Sequence, residues 1–140
     1  MLIMCTQRKK KIARPTGARE SVEKTRIEIV DHWNARWPEV LKLIDRLGHR
    51  GALRIDEDGW LSARQSVIVA FVDDKPAAHL CFHIDPVGAG EVEAQLDAVG
   101  FSSAEASRLL GEALSVAAAG HARKLNCVRF NGLARAGGRS

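Results

Sequence analysis

Hydrophobic and polar positions first alternate at Thr25-Arg26-Ile27-Glu28-Ile29-Val30, which sets Ile27 and Ile29 on one side and Arg26, Glu28 and Val30 on the other. A period of two over such a run predicts a strand. From Trp37 the period changes. Trp37, Val40, Leu41, Ile44 and Leu47 recur at helical spacing, and Pro38 stands early enough to cost no intrahelical bond. Asn34 is predicted as the cap of this helix and Gly48 as its stop. Residues 50–65 carry little periodicity, with room for a short helix before Asp58-Gly59.

The clearest pair of elements comes next. Residues 66–72 are rich in β-branched side chains, and 77–84 alternate with Leu80, Phe82 and Ile84 opposite His79, Cys81 and His83. Asp73-Asp74-Lys75-Pro76 supplies turn chemistry between them, so a β-hairpin is predicted. Residues 85–90 read as a loop. Alternation returns over 91–99, with Val92, Ala94, Leu96 and Ala98 opposite Glu93, Gln95, Asp97 and Val99. Ser102-Ser103-Ala104-Glu105 has the spacing of a capping box. Ala106, Leu109, Leu110, Ala113, Leu114 and Ala117 then form the apolar stripe of a helix that Gly120 is predicted to end. Residues 125–130 are the last strand. A strand-helix-strand unit predicts parallel pairing of 92–99 with 125–130, whereas the hairpin is antiparallel. The expected class is α/β, or α+β by some conventions: a mixed, mostly antiparallel sheet with helices on its faces.

Composition adds bounds to this picture. The chain has 140 residues, 46% hydrophobic and 27% charged, with a mean hydropathy of −0.14, as one soluble domain would. No apolar run approaches the roughly 20 residues that span a bilayer, so no membrane partner is expected. Three cysteines make no disulfide framework and favour a reducing, cytoplasmic location. The net charge of +4 belongs to one end: residues 1–20 hold six basic side chains against Glu20 alone, while the rest holds 15 basic and 16 acidic groups. Residues 1–24 are therefore expected to be a flexible basic tail, 25–130 the domain, and 131–140 a second flexible tail. Without basic clusters in the body, nucleic acid is not an expected partner.

Over 66–130 the order of elements and its motifs resemble the GNAT acetyltransferases. The resemblance rests on the hairpin, a third long strand ending in Leu96-Asp97-Ala98-Val99, and a helix carrying Leu109-Leu110 and then Ala117-Ala118-Ala119-Gly120. It implies that this strand splays from its parallel neighbour and that acetyl-CoA enters the gap. The pyrophosphate would rest on backbone N–H groups at the start of the following helix, where unbonded donors and the helix dipole suit phosphate. On this resemblance cofactor binding falls to Val99, Phe101, Ser103, Ala104 and Ala106, with the Val99 N–H polarising the thioester carbonyl. Glu93 or Asp97 would act as base, directly or through water. The implied activity moves acetyl from acetyl-CoA to a small-molecule or protein amine.

The same residues depart from the family pattern. Its phosphate loop, Arg/Gln-x-x-Gly-x-Gly/Ala, is represented here by Phe101-Ser102-Ser103-Ala104-Glu105-Ala106, which has small residues but neither glycine, and a carboxylate at Glu105. There is no tyrosine to serve as the family's frequent general acid, and the residues after Phe130 are too few for its last helix and strands. These differences support an alternative, a catalytically inactive GNAT-like module acting in dimerisation or partner binding. In either case an exposed edge near 125–130 predicts a homodimer. His79, Cys81 and His83 are metal-ligand types on one face, but their span of roughly 13 Å is too long for one ion, so no metal site is expected. Trp33, Trp37 and Trp60 are expected to anchor the core or an interface.

Overall fold

The computed structural model describes residues 24–133. In chain order they form β1 (Thr25–Val30), α1 (Trp37–Arg46), a short 3-10 turn (Arg50–Ala52), β2 (Gln65–Val72), β3 (Lys75–Gly88), β4 (Glu91–Phe101), α2 (Ala104–Lys124) and β5 (Cys127–Asn131). The five strands lie in sequence order, antiparallel except for the parallel pair β4–β5. This is the mixed, mostly antiparallel sheet that the pattern predicts. Of the two expected tails, residues 1–23 and 134–140 lie outside the described residues, while Asn131 closes β5 and Leu133 packs against the core.

Each face of the sheet has its own core. Under α1 and the segment after it, Val30, Trp37, Val40 and Ile44 pack on Val67, Val69, Phe71 and Cys81. Under α2, Leu110, Leu114, Ala118 and Ala122 pack on Ile68, Leu80, Phe82 and Ala94. β2 and β3 are thus buried from both sides, and each large side chain so buried stabilises the fold by about 1.5–3 kcal/mol.

Several local expectations are corrected by tertiary pairing. Arg36, not Asn34, occupies the cap position of α1; the Asn34 side chain instead accepts from the Arg36 N–H at 2.7 Å, an Asx turn one step earlier. Leu43, outside the predicted stripe, is buried. Gly48 does end the helix, at φ +78°: its own N–H bonds to Asp45 and the His49 N–H to Ile44, a Schellman closure. The β2–β3 turn is only Asp73-Asp74, both at positive φ (53° and 71°), which matches the twist of a two-residue hairpin. Lys75 and Pro76 belong to β3, with Pro76 beside a bulge at Ala70/Phe71 that spares it a ladder bond.

The expected loop at 85–90 is largely strand. Asp85 and Pro86 pair with Glu93 and Val92, so β3 runs to Gly88 and turns through Ala89-Gly90. At the other end of β4, Ser103 rather than Ser102 caps α2, its Oγ accepting from the Ala106 N–H at 3.0 Å. Glu105 therefore sits one position short of the place a capping box needs. α2 also passes through Gly120 and stops only at Asn126, whose φ of +69° takes the left-handed position often given to glycine. An interior glycine costs about 1 kcal/mol relative to alanine, and burial of Ala118 and Ala122 on either side of it holds the helix. Consequently β5 begins at Cys127, not at residue 125.

Candidate active site at the parting of two strands

β4 is shared by two neighbours that follow it for different lengths. Val92, Ala94 and Gln95 stand in register with Cys127, Phe130 and Asn131 of β5, and beyond the Gln95–Asn131 pair no β5 residue lies opposite. Its other edge stays paired with β3 as far as Phe101. Between the pairs Phe82–Leu96 and Cys81–Ala98 the register slips, leaving Asp97 as a bulge. The extra residue reverses the alternation. Leu96 packs under α2 while Ala98 packs under α1, so the two do not share a face as a strict period of two predicts.

The amide directions follow from the same pairing. The Ser102 N–H donates to Ala77 O of β3 at 2.8 Å. By strand alternation the Val99 and Phe101 amides are directed the other way, towards the edge where β5 no longer pairs with β4. α2 starts two residues later. The Ala106 amide is taken by Ser103 Oγ and the Ser107 amide by Ser103 O, which leaves those of Ala104 and Glu105 at the helix mouth. Ser103 and Ala106 also border a groove of about 480 Å³ with Thr25, Val72 and Leu109, and the Phe101 ring packs into the core below α2.

The predicted bases fall into different surroundings. Glu93 accepts from Asn131 Nδ2 at 2.8 Å and from Arg129 Nε, and these bonds, Arg129 foremost, hold its carboxyl below the usual carboxylate range. It lies where β4 and β5 are still joined. Asp97 lies past the last such pair and is bonded in the opposite direction. Its Oδ2 accepts from Gln65 Nε2 at 2.8 Å, and its Oδ1 is 2.8 Å from His83 Nδ1. The other imidazole nitrogen is 3.2 Å from Asp85 Oδ2, and Arg54 Nη2 stands 3.2 Å from Nδ1. Gln65 is buried, accepts from the Arg54 N–H at 2.7 Å and donates to Ala52 O, so it ties the segment after α1 to the His83–Asp97 pair.

His79, Cys81 and His83 share a face as predicted but do not converge. His83 turns to Asp97, whereas His79 is fully buried, with its Nε2 2.9 Å from His49 Nδ1 and its own Nδ1 unpartnered. Burial pulls the His79 pKa down to about 4, and the adjacent His49 adds to the effect. Burial likewise pushes the Cys81 thiol up to about 12, with the Asp97 charge contributing, so Cys81 is no nucleophile. Sequence reasoning named Asp97 but not its partners His83, Gln65 and Arg54 as a set. No local signal joins residues from three strands and a loop. Of the tryptophans, Trp37 is a core residue, while Trp33 and Trp60 stand at the surface.

A mostly antiparallel sheet whose bulged fourth strand pairs with a parallel fifth over only part of its length and feeds directly into a helix is a GNAT-like fold, and solved structures share it. The chain is similar to the aminoglycoside acetyltransferase meta-AAC0020 from an uncultured soil metagenomic sample, solved in complex with trehalose: TM-score 0.63, 12% identity, 77% of this chain and 76% of that one. An integron cassette protein from the mobile metagenome of V. cholerae gives 0.58 at 18% identity over 81% and 77% of the two chains. Ribosomal-protein-alanine N-acetyltransferase from Brucella melitensis biovar Abortus 2308 gives 0.55 at 15% over 76% of each. At these identities the likeness is one of fold. No family model and no curated protein matches the sequence.

Proposed function

We propose that the protein is an acyl-CoA-dependent N-acetyltransferase, or a close relative of one, acting on an amine. The observation that supports this reading is the end of β4–β5 pairing at Gln95 and Asn131, just ahead of the Asp97 bulge, on a β4 that feeds directly into α2. The residues there fit a CoA thioester. The Ala104 and Glu105 amides would meet its pyrophosphate, and small side chains at Ala104 and Ala106 permit close approach. Glu105 is exposed, and Arg108 lies 3.9 Å from its carboxylate, which offsets its charge in part. When bound, acetyl-CoA supplies an acyl group activated as a thioester.

The chain's own residues do the rest. The Val99 N–H, held in a strand and directed away from β3, would stabilise negative charge on the acyl oxygen. His83, with Nδ1 on Asp97, would take through Nε2 the proton the amine gives up as its nitrogen replaces the CoA sulfur at the acyl carbon, and that proton would return through solvent to the departing thiolate; Asp97 would orient the ring and stabilise its cationic form. Phe101 and Ser103 set the start of α2 against the end of β4. Glu93 joins β5 to β4 through Arg129 and Asn131 and is left out of proton transfer. Among the described residues no helix is long and apolar enough to cross a membrane.

A second reading, an inactive module of the same fold, is favoured by one observation: Ser103 Oγ already occupies the Ala106 amide in the turn that also carries Glu105. Calorimetric titration of acetyl-CoA decides between them. Micromolar binding that disappears in Ala104→Glu supports the acetyltransferase. No binding at millimolar acetyl-CoA rejects it in favour of the module. β5 ends the strand order, so its outer edge has no strand partner among the described residues, which supports a homodimer paired along that edge. A monomer mass independent of concentration in light scattering would reject that arrangement.

A further inference from the structure

The helix α2 is apolar on two sides. Leu110, Leu114, Ala118 and Ala122 are buried against the sheet, but Leu109 and Val116 are 47% and 57% exposed. Ala113 between them is exposed too. With Gly120 these residues recur in steps of four, three and four, roughly 150° around the helix from the buried set. Such spacing keeps one line of side chains straight over roughly 16 Å, and it is the spacing by which one helix packs along another.

Gly120 fits that purpose. An interior glycine weakens a helix, and no close approach within the chain calls for one here: a Cβ at this position would meet only Arg123 Nη2, at 3.9 Å. The position is therefore a notch on the outer side of α2.

Large and small residues follow one another along the line in an order that complements its own reverse. When a second α2 is laid antiparallel, with a twofold axis between Leu114 and Ser115, Leu109 enters the Gly120 notch of the other copy and Val116 meets its Ala113. Each contact then occurs twice. A parallel pair in register would set leucine on leucine and notch on notch.

Charge is divided in the same sense. Glu105 lies in the first turn of α2 and Glu112 before its middle, whereas Arg123 and Lys124 close its last turn. Arg108 is 3.9 Å from the Glu105 carboxylate, but Glu112, Arg123 and Lys124 make no ion pair among the described residues. Glu105 and Arg123 are about five turns apart and so lie on one flank of the apolar line. Antiparallel pairing brings Glu105 beside Arg123 of the second copy and opposes the two helix dipoles, whereas parallel pairing sets like charge against like.

We propose that this outer face of α2 is the contact with a second copy of the chain, the two helices packing antiparallel about the twofold axis. The proposal does not rest on the acetyltransferase reading. It uses a surface apart from the β5 edge, so the two contacts can coexist.

The test is sedimentation equilibrium of the full chain without acetyl-CoA, from about 1 µM to about 1 mM, the range in which so short a seam is expected to associate. Val116→Glu places a charge in the contact twice and should weaken it about 100-fold or more. Within that range the parent should show twice the mass of this variant: dimer against monomer, or tetramer against dimer where β5 edges also pair. Gly120→Leu fills the notch with a strong helix former, so its thermal melt should rise while association is lost. Glu105→Arg and Arg123→Glu should each weaken association several-fold alone, and together restore it. Thermal melts check that every variant folds, and Gly120→Leu keeps the test open if Val116→Glu does not. A parent that stays monomeric up to about 1 mM overturns the proposal. So does a parent that associates equally well with and without Val116→Glu and Gly120→Leu, which would place the contact elsewhere, the β5 edge included. Failure of the paired charge exchange to restore association overturns the antiparallel arrangement.

Discussion

An alanine at position 100 would place its methyl carbon 2.8 Å from His49 Cε1 and 2.8 Å from Leu47 Cδ1. The leucine end can rotate away. The imidazole cannot do so freely, because its Nδ1 is held 2.9 Å from Nε2 of the buried His79, the residue paired with Gly100 across β3 and β4. If the ring stays, overpacking costs about 1–3 kcal/mol. If it swings out, His79 loses its one ring partner, since its Nδ1 has none, and a buried polar group left unpaired costs about 1–3 kcal/mol. The lower backbone entropy of alanine in the unfolded chain returns about 0.4–1 kcal/mol. Gly100→Ala should therefore destabilise the protein by about 1–2 kcal/mol, lowering Tm by roughly 5–10 °C. Urea unfolding followed by circular dichroism measures it, with an unchanged m-value required. The control is His49→Ala, which removes the obstacle: adding Gly100→Ala to that background should cost less than about 0.5 kcal/mol. A single variant as stable as the parent, or an equal cost with and without His49, refutes the reasoning.

Other perturbations probe the remaining supports. The folded-state pKa of His79 is about 4 against an ordinary 6.5, so between these values the unfolded chain binds a proton that the folded chain excludes. Stability from this group is complete above pH 6.5 and declines towards pH 4, by up to roughly 3 kcal/mol. Urea midpoints across that range should fall for the parent and fall less for His79→Asn; parallel profiles would count against the assignment. Ser103→Ala removes the cap of α2 and should cost about 1 kcal/mol in the same unfolding assay. Asn126→Ala should cost about 1 kcal/mol because its left-handed backbone disfavours a Cβ, whereas Asn126→Gly should not destabilise. Leu114→Ala empties a fully buried position between α2 and the sheet and should cost about 2–5 kcal/mol, read as a drop in the urea midpoint.

The strands at 25–30 and 91–96 and both helices follow from periods of two and of 3.6, because their side chains are sorted by face, whereas 66–72, buried from both faces, is legible in its β-branched composition. Their order also carries the parallel unit, and with it the fold. Periodicity fails where burial is not what decides. Residues 85–88 are strand because β4 pairs with them, in spite of Pro86 and Gly88, and α2 runs through Gly120 because the sheet below accepts its alanines. In the candidate site the limit is sharper still. Glu93, Gln95 and Asp97 are equivalent by alternation, one face of one strand. What separates them is the company that other strands bring: Arg129 and Asn131 from β5 close on Glu93, while Gln65 from β2 and His83 from β3 close on Asp97. The bulge that begins there, the end of β5 pairing, and the meeting of Trp33 with Trp60 are all consequences of how segments distant along the chain come together. A local pattern records how a residue is to be buried; only the assembled sheet determines beside what.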